Sequence, residues 1–360
     1  MNVAKPVLQR TIPPSLLPPF LLEEKVYDTL AEAPELREDV LSPSSTWTFA
    51  RKTKGGEKMP QIIAHRGYKA EHPENTMGAF EGAVKVGAHA LETDLHISKD
   101  DVVVLSHDAT MKRCYGKDVK IRDHDWDYLS KQRTIRAPHE QMPRLQDLLE
   151  YLAKPGSEKI WLLLDIKITN DAETIMRLIA HTISLVAPSP SKPWCQRLVL
   201  GVWAAKFLPF CAQYLPDYPI SHIGFSIAYA RQFLTLPNIS FNILQKTLVG
   251  PFGASFVRDV KAKNRPLYVW TVNDEHAMRW SIDRGVDGVI TDDPKKFRDV
   301  CERWEGGDRK VGKMTWEQLF QVLWIQWMIM VFGGIFRARA GGIGPGGQVK
   351  SGKKGKGGGR

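Results

Sequence analysis

The sequence predicts a parallel (β/α)₈ barrel, because short β-branched runs alternate with helical stretches from Gln61 to about Arg303. Two of the candidate strands are separated by only four residues, 98–101, which is too short for a parallel crossover, so we expect an antiparallel hairpin there. Eight parallel strands remain, the number that closes this barrel. The candidate strands are Gln61–His65, Ala90–Ile97, Val102–Ser106, Ile160–Ile168, Arg197–Trp203, Ser221–Ser226, Ile239–Leu244, Pro266–Val272 and Val286–Thr291.

The rest of the chain is organised around this predicted domain, residues 60–303. Residues 1–59 are rich in proline and charge and form an N-terminal extension. Residues 109–143 are polar and contain no clear βα unit, so we expect an insertion over the barrel mouth. Residues 304–318 form a linker to a C-terminal apolar segment and tail.

The apolar segment is residues 319–336, LFQVLWIQWMIMVFGGIF, which carries no charge. Its 18 residues are the lower limit for a bilayer span. Basic residues lie on both sides, including Arg309, Lys310 and Lys313, and a simple span would place one basic flank on the wrong side. We therefore expect an interfacial or re-entrant membrane segment rather than a full span; a buried core helix is the alternative.

The net charge of +10 belongs mainly to the tail, because residues 337–360 contain seven Lys or Arg and no acid. The globular part is nearly neutral, which argues against nucleic acid as a partner. We expect the basic tail to be attracted to anionic lipid headgroups. The four cysteines are scattered without a CxxC pair, which indicates reduced thiols in a cytosol-facing protein. The first residues contain no continuous apolar run before the prolines, so we expect that they are not a secretory signal. We expect an intracellular, membrane-associated protein at the endoplasmic reticulum, a lipid droplet or the mitochondrial surface.

Acidic side chains are concentrated at the ends of two predicted strands. Side chains alternate along a strand, so Glu92 and Asp94 share a face, as do Asp165 and Lys167. Three carboxylates that converge at a barrel mouth form a hard oxygen site suited to Mg²⁺ or Ca²⁺. Each pair alone could be a solvated edge or a surface ion pair. The apolar residues 162–164 before Asp165 predict burial, however, and buried charges need partners or a metal.

Two histidines and two cations accompany these acids at the strand ends. His65 and Arg66 end the first strand, His107 ends the return strand of the hairpin, and Lys167 follows Asp165. An arginine, a lysine and a divalent cation suit an anionic phosphate, and two histidines can serve as general acid and general base. Together, at consecutive strand ends, these residues predict an active site.

The segments that carry this chemistry resemble the glycerophosphodiester phosphodiesterase family. The resemblance begins with IIAHRGYKAEHPENTMGAF, LETDLHIS and VVVLSHD and extends through LLLDIK, LYVWTVND and DGVITDDP, over residues 61–301. It implies that a divalent cation, Mg²⁺ or Ca²⁺, binds at the acids. One position departs from the family pattern, since Asp165 stands where Glu is common. The implied roles are acid and base for His65 and His107, metal ligands for Glu92, Asp94 and Asp165, and substrate binding for Arg66, Lys167 and Trp270.

LLLDIKIT, LGVW with Trp203, LYVWTVN and GVITDDP, together with the apolar C-terminal segment, resemble the fungal phosphatidylglycerol phospholipase C branch. This resemblance implies hydrolysis of phosphatidylglycerol to diacylglycerol and glycerol phosphate. Three alternatives stay open: a soluble glycerophosphodiester substrate, a lysophospholipase D activity, and a membrane-tethered binding module without catalysis. The paired histidines and acids disfavour the last.

Overall fold

The computed structural model describes residues 43–343 and 349–350, apart from the side chains of residues 335–339, 349 and 350. Most of the predicted N-terminal extension and most of the basic tail therefore lie outside the described residues. A short antiparallel hairpin, β1 (Arg51–Lys52) and β2 (Lys58–Met59), precedes the main sheet.

Eight parallel strands close into a barrel, as the alternating pattern predicts. The circle is complete because the last strand pairs in parallel with the first, with Val289 opposite Ile62. One further strand, β5 (Val103–Leu105), pairs antiparallel with its predecessor and confirms the predicted hairpin. The barrel strands are β3 (Gln61–His65), β4 (Ala90–Ile97), β6 (Trp161–Ile166), β7 (Leu198–Val202), β8 (Ile220–Gly224), β9 (Ser240–Leu244), β10 (Leu267–Trp270) and β11 (Gly288–Thr291).

Several strands are shorter than the sequence pattern predicts. Strand β10 ends at Trp270 rather than Val272, and β6 ends at Ile166 rather than Ile168. The difference arises because the chain turns out of the ladder into the βα loops, which still contain apolar residues. These loops carry the ionisable groups described below.

Helices surround the barrel, and an apolar layer that includes Phe80, Leu148, Phe256 and Phe297 packs between them and the sheet. The predicted insertion contains two short helices, α2 and α3. The helices are α1 (Met77–Lys85), α2 (Lys112–Tyr115), α3 (Trp126–Ser130), α4 (Leu145–Ala153), α5 (Ala172–Leu185), α6 (Leu208–Tyr214), α7 (Ile227–Phe233), α8 (Pro251–Ala262), α9 (Glu275–Asp283), α10 (Pro294–Glu305) and α11 (Trp316–Ala340).

The N-terminal end of the barrel interior is closed by aromatic packing. The ring of Trp47, from the segment before β1, meets the ring of Trp161 edge to face at 5.6 Å, and Tyr268 packs beside Trp161. The indole N–H of Trp161 donates to Oε1 of Gln61 at 2.8 Å, so its polar atom is paired. Side chains alternate along each strand, so the inward-facing residues nearer the C-terminal ends of the strands point into the opposite, C-terminal mouth of the barrel.

The C-terminal helix α11 begins at Trp316, three residues before the predicted apolar segment, where Thr315 and Gln318 form a capping box. One side of the helix packs against the domain through the buried side chains of Val322 and Met328. Among the residues whose placement is described, no helix is both long and apolar enough to cross a membrane.

Gly67 fixes the turn that follows β3, because its φ of 80° and its contact with α1 leave no space for a side chain. An added Cβ would lie 2.6 Å from the carbonyl carbon of Ala79. Gly56 has nearly the same φ, 82°, but open space around it, so it serves as a matched control.

We expect Gly56→Ala to reduce the free energy of unfolding by about 1–2 kcal/mol, from backbone strain alone. Gly67→Ala adds a steric clash and should cost about 1–3 kcal/mol more. Urea unfolding followed by circular dichroism measures both. Equal losses in the two variants would show that the close contact with α1 contributes nothing.

Candidate active site

The end of β3 and the turn after it direct two functional groups, those of His65 and Arg66, into the mouth. His65 is the last residue of the strand, and Arg66 adopts a left-handed conformation with φ of 58°. The backbone N–H of Arg66 donates to Oε2 of Glu92 at 2.9 Å, which ties the turn to the neighbouring strand. Strain of this kind in a non-glycine residue is retained where a site requires it.

The three predicted acids form one buried cluster. Glu92 and Asp94 lie on β4 with their side chains on the inner face, and Asp94 is the direct cross-strand neighbour of Asp165 on β6. One carboxylate oxygen from each of the three lies within 4.8 Å of the others. The structure thus brings together all three residues that the sequence selected.

Two cations lie against this cluster. The ammonium of Lys167 is 2.6 Å from Oδ1 of Asp94 and 2.8 Å from Oδ2 of Asp165. Nε of Arg66 is 3.1 Å from Oδ2 of Asp94. When all five groups are ionised, three negative and two positive charges leave one excess negative charge in a buried place, which a divalent cation would reverse.

The pKa directions agree with this charge distribution. Burial and the neighbouring Asp94 raise the pKa of Glu92 well above its ordinary value, and burial raises the pKa of Asp165. Burial acts in the same direction on Asp94, but Arg66 and Lys167 outweigh it and hold its pKa well below the ordinary value. Carboxylates crowded in this way fit a divalent cation, which supplies positive charge between them.

Each predicted catalytic histidine has a carboxylate partner on one ring nitrogen. Nδ1 of His65 lies 2.6 Å from Oδ1 of Asp292, and Nδ1 of His107 lies 2.7 Å from Oδ1 of Asp108. Burial, with Lys167 as the next cause, lowers the pKa of His107 to about 3, and burial together with Arg66 lowers the pKa of His65. A neutral imidazole that donates from Nδ1 presents a lone pair on Nε2, which is the form of a general base.

Indole groups complete the side of the site around Asp165. Its Oδ1 accepts from the indole N–H of Trp203 at 2.7 Å, which holds the short side chain in the cluster. The ring of Trp270 meets that of Trp203 edge to face at 5.5 Å, and its own N–H donates to the carbonyl of Asn242. Trp270 therefore lies beside the acids, and its predicted contact with substrate stays a prediction.

Several supporting residues were not selected from the sequence. Asp292 directly follows β11, so the strand-end rule that selected His65 and Asp94 would also have found it. Asn75, with φ of 55°, donates from Nδ2 to Oδ2 of Asp94 at 2.8 Å. Glu74 accepts from Arg66 at 2.9 Å; neither it nor Asn75 lies at a strand end, and the sequence offered no signal for them.

Comparison with known proteins identifies the chemistry of this arrangement. The model of the glycerophosphoryl diester phosphodiesterase family matches residues 65–296, more than half of the chain. The chain belongs to this family. It is therefore a phosphoric diester hydrolase, and the predicted family resemblance is confirmed.

Individual relatives of this phosphodiesterase include both lysophospholipid and glycerophosphodiester enzymes. It is 28% identical to lysophospholipase D GDPD1 from Homo sapiens, over 71% of this chain and 91% of that protein. It is 26% identical to the glycerophosphodiester phosphodiesterase of Caldanaerobacter subterraneus, over 67% of this chain and 98% of that protein.

Solved structures of the family share the barrel. The phosphodiesterase from Oleispira antarctica, solved in complex with the product sn-glycerol-3-phosphate, superposes with a TM-score of 0.59 at 22% identity, over 68% of this chain and 97% of that one. The glycerophosphodiester phosphodiesterase from Thermotoga maritima gives a TM-score of 0.54 at 25% identity, over 68% of this chain and 100% of that one.

The acidic cluster generates a prediction that does not depend on turnover. We expect Mg²⁺ or Ca²⁺ to raise the Tm of this phosphodiesterase, because a ligand that binds the folded state stabilises it. Asp94→Asn should abolish the rise, and Asp165→Glu, which restores the common family residue, should retain it. Differential scanning fluorimetry with and without a chelator measures this. An equal rise in Asp94→Asn would place the cation elsewhere.

Proposed function

We propose that this phosphodiesterase hydrolyses phosphatidylglycerol to diacylglycerol and glycerol phosphate. The observation that carries the proposal is the pair of histidines, His65 and His107, each bonded to a carboxylate and lying beside the buried acids with their cations Arg66 and Lys167. The wider resemblance to the fungal phosphatidylglycerol phospholipase C branch supports the choice of lipid. Glu92, Asp94 and Asp165 would hold Mg²⁺ or Ca²⁺, which supplies electrophilic stabilisation of the phosphoryl oxygens when bound.

With these residues the reaction proceeds in two steps, formation of a cyclic glycerol phosphate and its hydrolysis. One histidine removes the proton of the headgroup 2-hydroxyl, whose oxygen attacks phosphorus while the bond to the diacylglycerol oxygen breaks. The other histidine protonates that leaving oxygen. Arg66 and Lys167 stabilise the phosphoryl charge. Water then opens the cyclic glycerol phosphate with the histidine roles reversed, and the product is glycerol phosphate.

The internal nucleophile also determines which headgroups react. Glycerol carries a hydroxyl next to the phosphoester, whereas choline and ethanolamine carry none. Two rival substrates use the same residues: deacylated glycerophosphodiesters, in which the hydroxyl lies on the diester glycerol, and lysophospholipids, as the name of the human relative indicates for that protein. The products distinguish them, because only phosphatidylglycerol releases diacylglycerol.

We expect the full chain with Mg²⁺ or Ca²⁺ to release diacylglycerol from phosphatidylglycerol and to leave phosphatidylcholine intact. His65→Ala and His107→Ala should each reduce the rate by about 10²-fold or more, the usual effect of losing an acid or base. His181→Ala, an exposed histidine on α5, is the matched control. Mass spectrometry of the products, including those from glycerophosphocholine and lysophosphatidylcholine, measures this.

Equal cleavage of phosphatidylglycerol and phosphatidylcholine would contradict the internal nucleophile. Cleavage confined to glycerophosphocholine or lysophosphatidylcholine would replace the proposed substrate but retain the site.

An exposed apolar stripe on α11 supports a membrane-surface location for this chemistry. The stripe comprises large side chains at helical spacing on one face, with Trp316 87% and Met330 74% exposed. Tryptophan suits the headgroup region, and exposed apolar area of this kind marks an interaction site. The apolar stripe consists of Trp316, Phe320, Leu323, Trp327, Met330 and Val331.

The opposite face attaches α11 to the rim of the catalytic mouth. Gln318 donates to Oδ1 of Asp274, in the loop after β10, at 3.0 Å. Gln321 accepts from Lys246, just after β9, at 2.8 Å, and Gln326 donates to the carbonyl of Lys246 at 3.1 Å. Because active-site loops follow the C-terminal ends of barrel strands, the stripe and the acidic cluster share one rim. We propose that the stripe lies in the surface of the membrane that contains the lipid substrate.

We expect the triple variant Trp316→Gln, Phe320→Gln, Trp327→Gln to lose binding to vesicles of phosphatidylcholine and phosphatidylserine. Its activity on a soluble glycerophosphodiester should not change. Leu185→Gln, which replaces an exposed leucine on α5, is the matched control. Vesicle flotation measures binding. Unchanged flotation would show that the apolar stripe does not contact the membrane. A change of oligomeric state in gel filtration would show that the stripe binds a second copy of the chain.

A further inference from the structure

We propose that Arg113, on helix α2 of the insertion, is a positioning residue that aligns both His107 and Arg66 for the reaction. Its side-chain hydrogen bonds go to Asp108 and Glu74 and not to Glu92, Asp94 or Asp165. It acts through the two carboxylates that hold those groups, Asp108 and Glu74. The inference rests on the proposed roles of His107 and Arg66.

One guanidinium binds both carboxylates with ideal hydrogen-bond lengths. Nε of Arg113 donates to Oδ2 of Asp108 at 2.7 Å, and the other oxygen of Asp108 faces His107. The two terminal nitrogens of Arg113 donate to the two oxygens of Glu74, at 2.8 and 2.7 Å. Oε1 of Glu74 also accepts from Arg66. Arg113 therefore connects the general acid–base group to the phosphate-binding group by a continuous chain of charged hydrogen bonds.

The fork geometry of arginine explains why this residue type occupies the position. The planar guanidinium binds both oxygens of Glu74 and, through Nε, one oxygen of Asp108, whereas the compact ammonium of lysine cannot reproduce the bidentate bond to one carboxylate while it serves another. Glu74 is buried while Arg113 is about half exposed, with side-chain exposures of 7% and 47%. The carboxylate of Glu74 depends on this ion pair more than Arg113 does, because a buried charge has lost its hydration.

Further hydrogen bonds join the insertion, residues 109–143, to the loop between β3 and α1, and they fix the position from which Arg113 acts. The guanidinium of Arg136 donates to the carbonyl oxygens of Lys69, Ala70 and His72. Glu140 accepts from the backbone N–H of Gly78 at 2.7 Å, at the start of α1. These bonds hold the loop between β3 and α1, and Arg113 then sets the orientation of the one carboxylate in that loop that contacts Arg66.

The two arms of Arg113 predict two separable kinetic effects. Loss of the arm to Asp108 should lower kcat, because His107 loses its fixed orientation. Loss of the arm to Glu74 should raise KM, because Arg66 is no longer held for the phosphate. A residue with a merely structural role would lower stability without this division.

The test uses the full chain with Mg²⁺ or Ca²⁺ and phosphatidylglycerol in mixed micelles. Arg113→Gln should lower kcat/KM by about 10-fold to 100-fold, typical for loss of a supporting partner of an active-site group. Arg113→Lys should recover kcat/KM only in part, because an ammonium cannot reproduce the bidentate bond to Glu74. The control is Lys112→Gln, on the same helix, whose side chain is 69% exposed and pairs with Asp118.

Double-mutant cycles assign the arms. Arg113→Gln combined with Asp108→Asn should be non-additive in kcat, and combined with Glu74→Gln it should be non-additive in KM. Additive effects in both cycles, or a loss explained by a fall in Tm, would overturn the inference. If His107→Ala retains activity, the proposed function fails instead. If His107→Ala is inactive while Arg113→Gln is normal, only this inference fails.

Discussion

The rest of the site depends on one electrostatic constraint, which is that three carboxylates are buried together at one end of a barrel. Asp94 and Asp165 are forced side by side by strand register, so their repulsion must be offset within the same few ångströms. Lys167 and Arg66 supply that compensation, and Arg66 does so from a left-handed backbone conformation. The tight turn at Gly67, which follows directly, is thus part of the same requirement.

The barrel has its packed apolar interior at one end of its axis and its ionisable groups at the other. At the N-terminal end the interior is apolar and partly aromatic, with Trp47 packed on Trp161 and the indole N–H of Trp161 bonded to Gln61. At the C-terminal end the inward-facing positions of the same strands carry charge, as Asp94 does on β4 and Asp165 on β6. The two sets differ by a few residues on the same strands, so a rigid, dry interior directly supports groups whose relative positions must not vary.

Strand ends and side-chain alternation were sufficient to predict the barrel and the convergence of its acids, because both follow from local periodicity. Groups whose partners are distant in sequence could not be found this way. Arg113 meets Glu74 across 39 residues of chain, and its position depends on how the insertion folds back. The exposed face of α11 could not be predicted either, because an uncharged run does not reveal which side of the helix packs against the domain. Val322, for example, is buried, whereas its neighbour Leu323 is exposed.

The location of the apolar stripe has an energetic consequence for the proposed substrate. Extracting a diacyl lipid into water would expose two acyl chains at about 0.8 kcal/mol per methylene, a cost far beyond the binding energy of one phosphate. A site that reaches the headgroup while the chains stay in the bilayer avoids that cost. Helix α11 places exposed Trp316 and Trp327 on the rim that also carries Lys246. A deacylated diester would need no such surface, so the stripe itself favours the lipid over the soluble alternative.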